Sequence, residues 1–239
     1  MITKQIFESE EDWLGFTRGL FTASRINELL AIVSRHMTDE ELSAREKGDK
    51  KKTVLDESIL SDGAISYIVD TIRAKRGAPA KQVYNYAMQW GKENEPQAVL
   101  KMAEYLGMSV NDFDFEYTSV GGFVFFNMND IAGGTPDVIT PQRIGEVKCP
   151  DSDTHLYYKL FVHTGNIKKE LPVYYSQMQF NMYLTGREEC LFMSYDPRFP
   201  NESDQSHFIH VPKDTEHINL ILNKLMIAEN YKRQLINKL

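Results

Sequence analysis

Asp137, Glu146 and Lys148 stand within Gly133–Pro150 (GGTPDVITPQRIGEVKCP) at a spacing that could hold a divalent metal and use it for hydrolysis. If Pro141 and Gln142 form the tip of a hairpin, then Thr140 faces Arg143, Ile139 faces Ile144, Val138 faces Gly145 and Asp137 faces Glu146. Directly opposed residues of an antiparallel pair keep their Cβ atoms roughly 5 Å apart. Two carboxylates so close repel each other unless one is protonated or a cation lies between them. Magnesium, a hard ion that takes carboxylate oxygens, resolves the conflict. Alternation along the second strand then sets Lys148 on the Glu146 face and turns Val147 toward the core. A lysine beside a metal-activated water can help deprotonate it or steady the developing charge. Glu-x-Lys on a strand face commonly means only solvation; Asp137, following Pro136 at the hairpin mouth, is what lends the pair its interest.

The elements that must position these residues follow from periodicity and punctuation. Thr22–Arg35 (TASRINELLAIVSR) places Ile26, Leu29, Leu30 and Val33 at helical spacing, with Thr22 or Ser24 available as N-cap. Asp39–Lys52 is charged and poorly periodic, a loop or flexible helix, and Ser58–Arg76 returns to helical spacing. A helix is expected from Glu95 or Pro96 to Leu106, because proline suits a first turn and Gly107 is a stop signal. Strand composition marks Phe113–Tyr117, Gly122–Met128, Ile144–Cys149, Glu189–Tyr195 and Phe208–Val211. Val173–Leu184 reads as a helix ending near Gly186, and Ile218–Leu239 as a long amphipathic one. With helices on both sides of the strands, and no internal repeat, the expected fold is α/β: one domain over residues 1–239 with a central mixed β-sheet flanked by helices.

The chain has 239 residues, 42% hydrophobic and 26% charged, and no apolar stretch of spanning length, so a soluble protein with no membrane association is expected. Its N-terminus lacks a signal-peptide pattern, and Cys149 and Cys190 suit free thiols in a reducing compartment; both predict the cytoplasm. A formal charge of -7 argues against coating nucleic acid by bulk attraction. It leaves room for a local basic groove, which Arg45–Lys52 or Arg73–Lys81 could supply, although such runs are often no more than solvated surface. The histidines show no metal-ligand spacing, and no GxGxxG or phosphate-binding loop is present.

Pro136-Asp137, then eight residues, then Glu146-Val147-Lys148 resembles the P-D…(D/E)-x-K pattern of restriction-endonuclease-like nucleases. Trp90–Val99 (WGKENEPQAV), GGTPDVIT, GEVKCP, Tyr174–Gly186 (YYSQMQFNMYLTG) and Ser194–Phe199 (SYDPRF) narrow the likeness to the phage lambda exonuclease type, also called YqaJ-like viral recombinases. Thr17–Ser24 (TRGLFTAS) is similar to that family's R…TAS element. Each motif is weak alone; five in order make a strong signal.

The resemblance implies a PD-(D/E)XK core in which Asp137, Glu146 and the Val147 carbonyl bind metal and Lys148 acts on the attacking water. Glu95 would reach the same site and hold a second ion or its waters; the cofactor implied is Mg2+, with Mn2+ as a substitute, in two copies. Gln179 would orient the nucleophile or substrate, with Gln177 supporting it less directly; two apart, they do not share a helix face. Arg18 and Ser24 would bind the terminal 5′-phosphate. Arg18 lies one residue closer to the TAS element than the family pattern, so Arg25 competes with it. Tyr174, Tyr175, Phe180 and Tyr183 are expected in the core or a subunit contact. The family further implies a 5′-to-3′ exonuclease on linear double-stranded DNA ends, releasing 5′-mononucleotides, a homotrimeric ring around the duplex, and a single-strand annealing recombinase as partner. An endonuclease on the same core and a non-catalytic DNA-binding scaffold are the competing readings. Iron–sulfur relatives need four cysteines, and this chain has two.

Overall fold

The computed structural model describes residues 1–46, 49–78, 86–120 and 122–239. The chain begins with β1 (Ile2–Phe7), α1 (Glu10–Thr17) and β2 (Phe21–Thr22), then winds into a 3-10 helix, Ala23–Leu29. β3 (Val33–His36), α2 (Asp39–Ser43), β4 (Thr53–Asp56), α3 (Asp62–Lys75) and α4 (Tyr86–Tyr105) follow. Next come β5 (Glu116–Tyr117), β6 (Phe123–Met128), β7 (Ala132–Gly134), β8 (Val138–Ile139) and β9 (Ile144–Lys148). The last third holds α5 (Ser152–Phe161), α6 (Ile167–Glu170), α7 (Pro172–Thr185), β10 (Glu189–Tyr195), α8 (Glu202–Gln205), β11 (Ser206–Pro212) and α9 (Thr215–Ile236).

Among the described residues the central sheet runs β11-β10-β9-β8-β5 and is mixed. β9 and β10 are parallel, joined by the α5–α7 crossover, and the other neighbours are antiparallel. Alternation gives this sheet two apolar faces. Ile144, Cys190 and Phe192 pack under α5 and α7, while Val147, Leu191 and Met193 pack under Ala98, Val99 and Met102 of α4. A second sheet, β1-β6-β7-β2, and a β3-β4 ribbon lie beside it. A further apolar core joins the 3-10 helix, α3, α7 and α9. The architecture is therefore α/β, with mixed sheets flanked by helices as the periodicity predicts.

Three boundaries differ from expectation. The helix expected over Thr22–Arg35 is a 3-10 turn and a strand: Ala23, Ile26 and Leu29 are the buried residues, in line at the three-residue period. Beyond them Val33 pairs with Asp56, as suits the β-branched Ile32-Val33. α4 does not begin at Glu95 or Pro96 but runs through Pro96 from Tyr86; only its part beyond Pro96 has buried residues, which is the part whose pattern is legible. The strand expected over Phe113–Tyr117 shrinks to Glu116–Tyr117, because the Asp112 side chain accepts the Ser109 amide in a turn that leaves Phe113 fully exposed. Of the two basic clusters, residues 47, 48 and 79–81 lie outside the described residues. Arg45 spends its guanidinium on the carbonyls of Leu42, Asp49 and Lys51.

Candidate active site

The hairpin forms with the expected register: Thr140 receives the Arg143 turn, Ile139 opposes Ile144 and Val138 opposes Gly145. The ladder then stops one residue short of the expected Asp137–Glu146 pair. The Asp137 amide donates to the Gly145 carbonyl, and its carboxylate accepts the Val147 amide at 2.6 Å. Gly145 is required here because a Cβ would fall 2.5 Å from the Met102 sulfur and 2.9 Å from the Val138 Cβ. α4 thus lies close against the hairpin, which carries Glu95 toward Asp137.

On β9, Glu146 and Lys148 share one face and Val147 points under α4. Glu146 is fully buried. Its Oε1 accepts from Lys148 Nζ at 2.5 Å and from Gln177 Nε2 at 2.6 Å, while its Oε2 is buried with no hydrogen-bond partner. Both donors therefore serve one oxygen and leave the other free. The Lys148 ammonium also lies 5.2 Å from the centroid of the Tyr174 ring.

The electrostatics are those of too many acids for one cation. Burial raises the Glu146 carboxyl to about 8, with Lys148 opposing the shift and Asp137 adding to it. Burial likewise raises Asp137, and burial followed by the Asp137 charge raises Glu95. For Lys148 burial acts downward, yet Glu146 and Asp137 outweigh it and the ammonium holds its proton well above the usual lysine range. Cys149, next in sequence, is pushed up to about 12 by burial and is an inert thiol here.

A cleft of about 540 Å³ opens over this group, with Ser24, Glu95, Asp137 and Gln177 in its wall. Glu95 turns its carboxylate to the Tyr117 hydroxyl, 3.1 Å away. Among the described residues no three His, Cys, Asp or Glu side chains are placed to hold a metal by themselves. The donor set still suits magnesium, which is held through one or two carboxylates plus waters and substrate phosphates rather than in an all-protein cage. The orphaned Glu146 oxygen and the upward shifts of the neighbouring carboxyls fit a group of acids shaped to share a cation.

The other expected site residues are divided. Gln177, expected to act less directly, is the glutamine that meets Glu146. Gln179 faces away, donating to the Pro212 carbonyl and accepting the Asp214 amide, so it ties α7 to the turn before α9. Arg18 is exposed beside the cleft wall. Arg25 is held bidentate by Glu28, reaches Asp70 at 3.3 Å and stacks 4.1 Å from the Tyr67 centroid, so its guanidinium is already engaged. Tyr117 and Tyr174 are not singled out for chemistry by the sequence, since an aromatic in a strand or on a helix reads as core. The SYDPRF element shows its use in space: the fully buried Asp196 accepts three bonds from Arg198, two from its guanidinium and one from its amide, and one from Ser152, and Arg198 reaches the Pro150 carbonyl just past Lys148. That knot fixes the end of β9.

Residues 12–188 match the YqaJ-like viral recombinase domain. Among solved structures, the chain is similar to the alkaline exonuclease LHK-Exo from Laribacter hongkongensis at 24% identity, covering 95% of this chain and 97% of that one, with a TM-score of 0.61. The same enzyme in complex with dAMP aligns at 24% identity over 95% of each chain, TM-score 0.65. A phage-related exonuclease from Haemophilus somnus 129PT aligns at 16% identity over 95% of this chain and 99% of that one, TM-score 0.67. At such identities the likeness establishes a shared fold. No curated protein sequence matches the chain significantly. Among the described residues no helix is long and apolar enough to cross a membrane.

Proposed function

The chain belongs to the family of YqaJ-like viral recombinase domains, and we propose on that premise that it is a magnesium-dependent deoxyribonuclease, an exonuclease acting on DNA ends. The observation that carries the reading is the unpaired, buried Glu146 oxygen beside Lys148, behind a cleft whose wall holds Asp137, Glu95 and the Gln177 that bonds to Glu146. A magnesium ion held there, or two with manganese as a substitute, would supply Lewis acidity at the scissile phosphate. Asp137, Glu146 and the Val147 carbonyl would hold it, with Glu95 on its waters. Lys148 keeps its proton, so its part is that of a fixed cation and hydrogen-bond donor to the charge that develops on phosphate oxygens. Gln177 aims Glu146 by occupying one of its oxygens. Arg18 and Ser24 would receive the 5′-terminal phosphate. A relative's complex with dAMP, a 5′-mononucleotide, supports that class of product.

The finer reading is digestion of linear duplex from the 5′ end to 5′-mononucleotides, leaving a 3′ tail for phage-type recombination. All 239 residues would work as one cytoplasmic nuclease domain, three copies forming a ring around the duplex, with a single-strand annealing recombinase as partner. The test is linear duplex labelled at either end, with a closed circle as control, given to the wild type and Lys148→Ala in magnesium and in EDTA. Consumption of linear DNA only, with the 5′ label lost first, and a loss of at least about 100-fold in the variant and in EDTA are expected. Cutting of the circle overturns the exonuclease reading; duplex binding with no cutting under any condition overturns the nuclease reading altogether.

A further inference from the structure

We propose that Lys75 and Arg76 form a landing surface for the phosphodiester backbone of a DNA duplex outside the cleft, continuing from Arg18 at the cleft's edge and held rigid from beneath by Lys232. The proposal rests on the nuclease reading, since it takes DNA as the ligand. Lys75 ends α3 and Arg76 caps it, and both are exposed. The turn between α1 and β2 comes down upon them. Gly19 is buried in that turn with φ of +80°, and a Cβ there would fall 2.6 Å from the Lys75 Cβ and 3.1 Å from the Thr71 carbonyl. Such an approach admits only glycine. Arg18 immediately precedes it, and Thr17 before that lines the cleft, so the surface continues outward from the cleft wall.

The underside is anchored from the far end of the chain. Lys232 of α9, 4% exposed, donates to the Gly19 carbonyl at 2.6 Å and lies 4.7 Å from the Phe21 ring centroid. Its carboxylate neighbour, Glu229 at 3.6 Å, also serves Arg233 at 2.8 Å. Burial lowers the Lys232 pKa, and Lys75 and Arg233 lower it further against the pull of Glu229, which marks these cations as mutual neighbours. Arg18, Lys75 and Arg76 take part in no ion pair among the described residues. Two cations at a helix C-terminus complement its dipole, but that accounts for neither the glycine-only turn nor the third cation it delivers. In a chain of net charge -7, a local surplus of this kind attracts a polyanion.

The experiment is anisotropy of a short blunt duplex in EDTA over a range of salt, comparing the wild type with the double variant Lys75→Gln, Arg76→Gln, and with Lys232→Met and Lys232→Arg. Every cation withdrawn from a DNA phosphate lowers the slope of log affinity against log salt by about 0.9, so the double variant should be shallower by about 2. Lys232→Met should also flatten the slope while Lys232→Arg keeps it, with thermal midpoints showing that all four proteins are folded. A wild-type slope in the double variant overturns the landing surface and leaves the nuclease reading to its own cleavage test. A wild-type slope in Lys232→Met overturns the supporting role. An equal flattening with single-stranded DNA of the same length overturns the assignment to the duplex, and a wild type that ignores duplex at low salt overturns the landing surface, while cleavage in magnesium decides the nuclease reading separately.

Discussion

Glu146 makes a stability test possible without any DNA. Its carboxyl, fully buried, is raised from glutamate's ordinary 4.5 to about 8 by burial, opposed by Lys148 and reinforced by Asp137. The folded state therefore holds this proton more tightly than the unfolded chain. Between about pH 4.5 and 8 the native protein carries the extra proton, and stability falls as pH rises until the group is ionised in both states. Burial lowers His155, His207 and His217, an effect of opposite sign that ends at the free histidine value of about 6.5. The clean window is thus from about pH 6.5 to 8.5. Over it the Glu146 shift amounts to about 2 kcal/mol at roughly 1.4 kcal/mol per pH unit, an upper bound because the neighbouring Asp137 carboxyl, raised as well, shares the proton. For a chain of this length that is about 4–8 °C in the thermal midpoint. Unfolding would be followed in EDTA at both ends of the window for the wild type and Glu146→Gln, then with excess magnesium. The wild type should lose stability toward alkaline pH, Glu146→Gln should lose little, and magnesium should restore the wild type because it favours the ionised carboxylate. A wild-type stability that is flat or rising across the window, or an equal fall in Glu146→Gln, refutes the reasoning.

Two further substitutions probe how the site is held. Gln177→Leu should cut the rate of DNA cleavage by at least about 10-fold with a modest change in midpoint, whereas Gln179→Leu should cost about 1–3 kcal/mol of stability through the orphaned Asp214 amide and Pro212 carbonyl, with cleavage per folded molecule retained. Kinetics and urea unfolding on both variants would show the reverse pattern if Gln179 were the one at the chemistry. Gly145→Ala should cost about 1–3 kcal/mol by driving a methyl into Met102 and Val138. It should also slow cleavage, since α4 carries Glu95; an unchanged midpoint and rate would show that α4 does not lean on the hairpin.

Local chemistry made much of this molecule legible from one dimension. The hairpin register from Thr140–Arg143 to Val138–Gly145 follows from Pro141-Gln142 at its tip, and β10 keeps its expected bounds, Glu189–Tyr195. α7 stops at Gly186, whose φ of 69° is the left-handed cap glycine supplies. The Glu146–Lys148 face followed from strand alternation alone, because a period of two leaves no choice. Where the chain pairs with something distant, the same reasoning fails: Val33 joins a ribbon with Asp56, and α4 continues upstream of Pro96 where no buried face announces it.

The sequence by itself determined which acids and which lysine could meet, since turn chemistry and alternation act over a few residues. Tertiary structure alone decided which glutamine serves them. From Tyr175 to Met182 every residue of α7 is buried, so no polar face sets the helix's rotation, and only its packing between β9 and the turn before α9 turns Gln177 to Glu146 and Gln179 away. The same holds for Lys232, whose partner at Gly19 lies 213 residues away. Its ammonium is useful there only because folding buries it against a carbonyl that no local pattern in either segment could foretell.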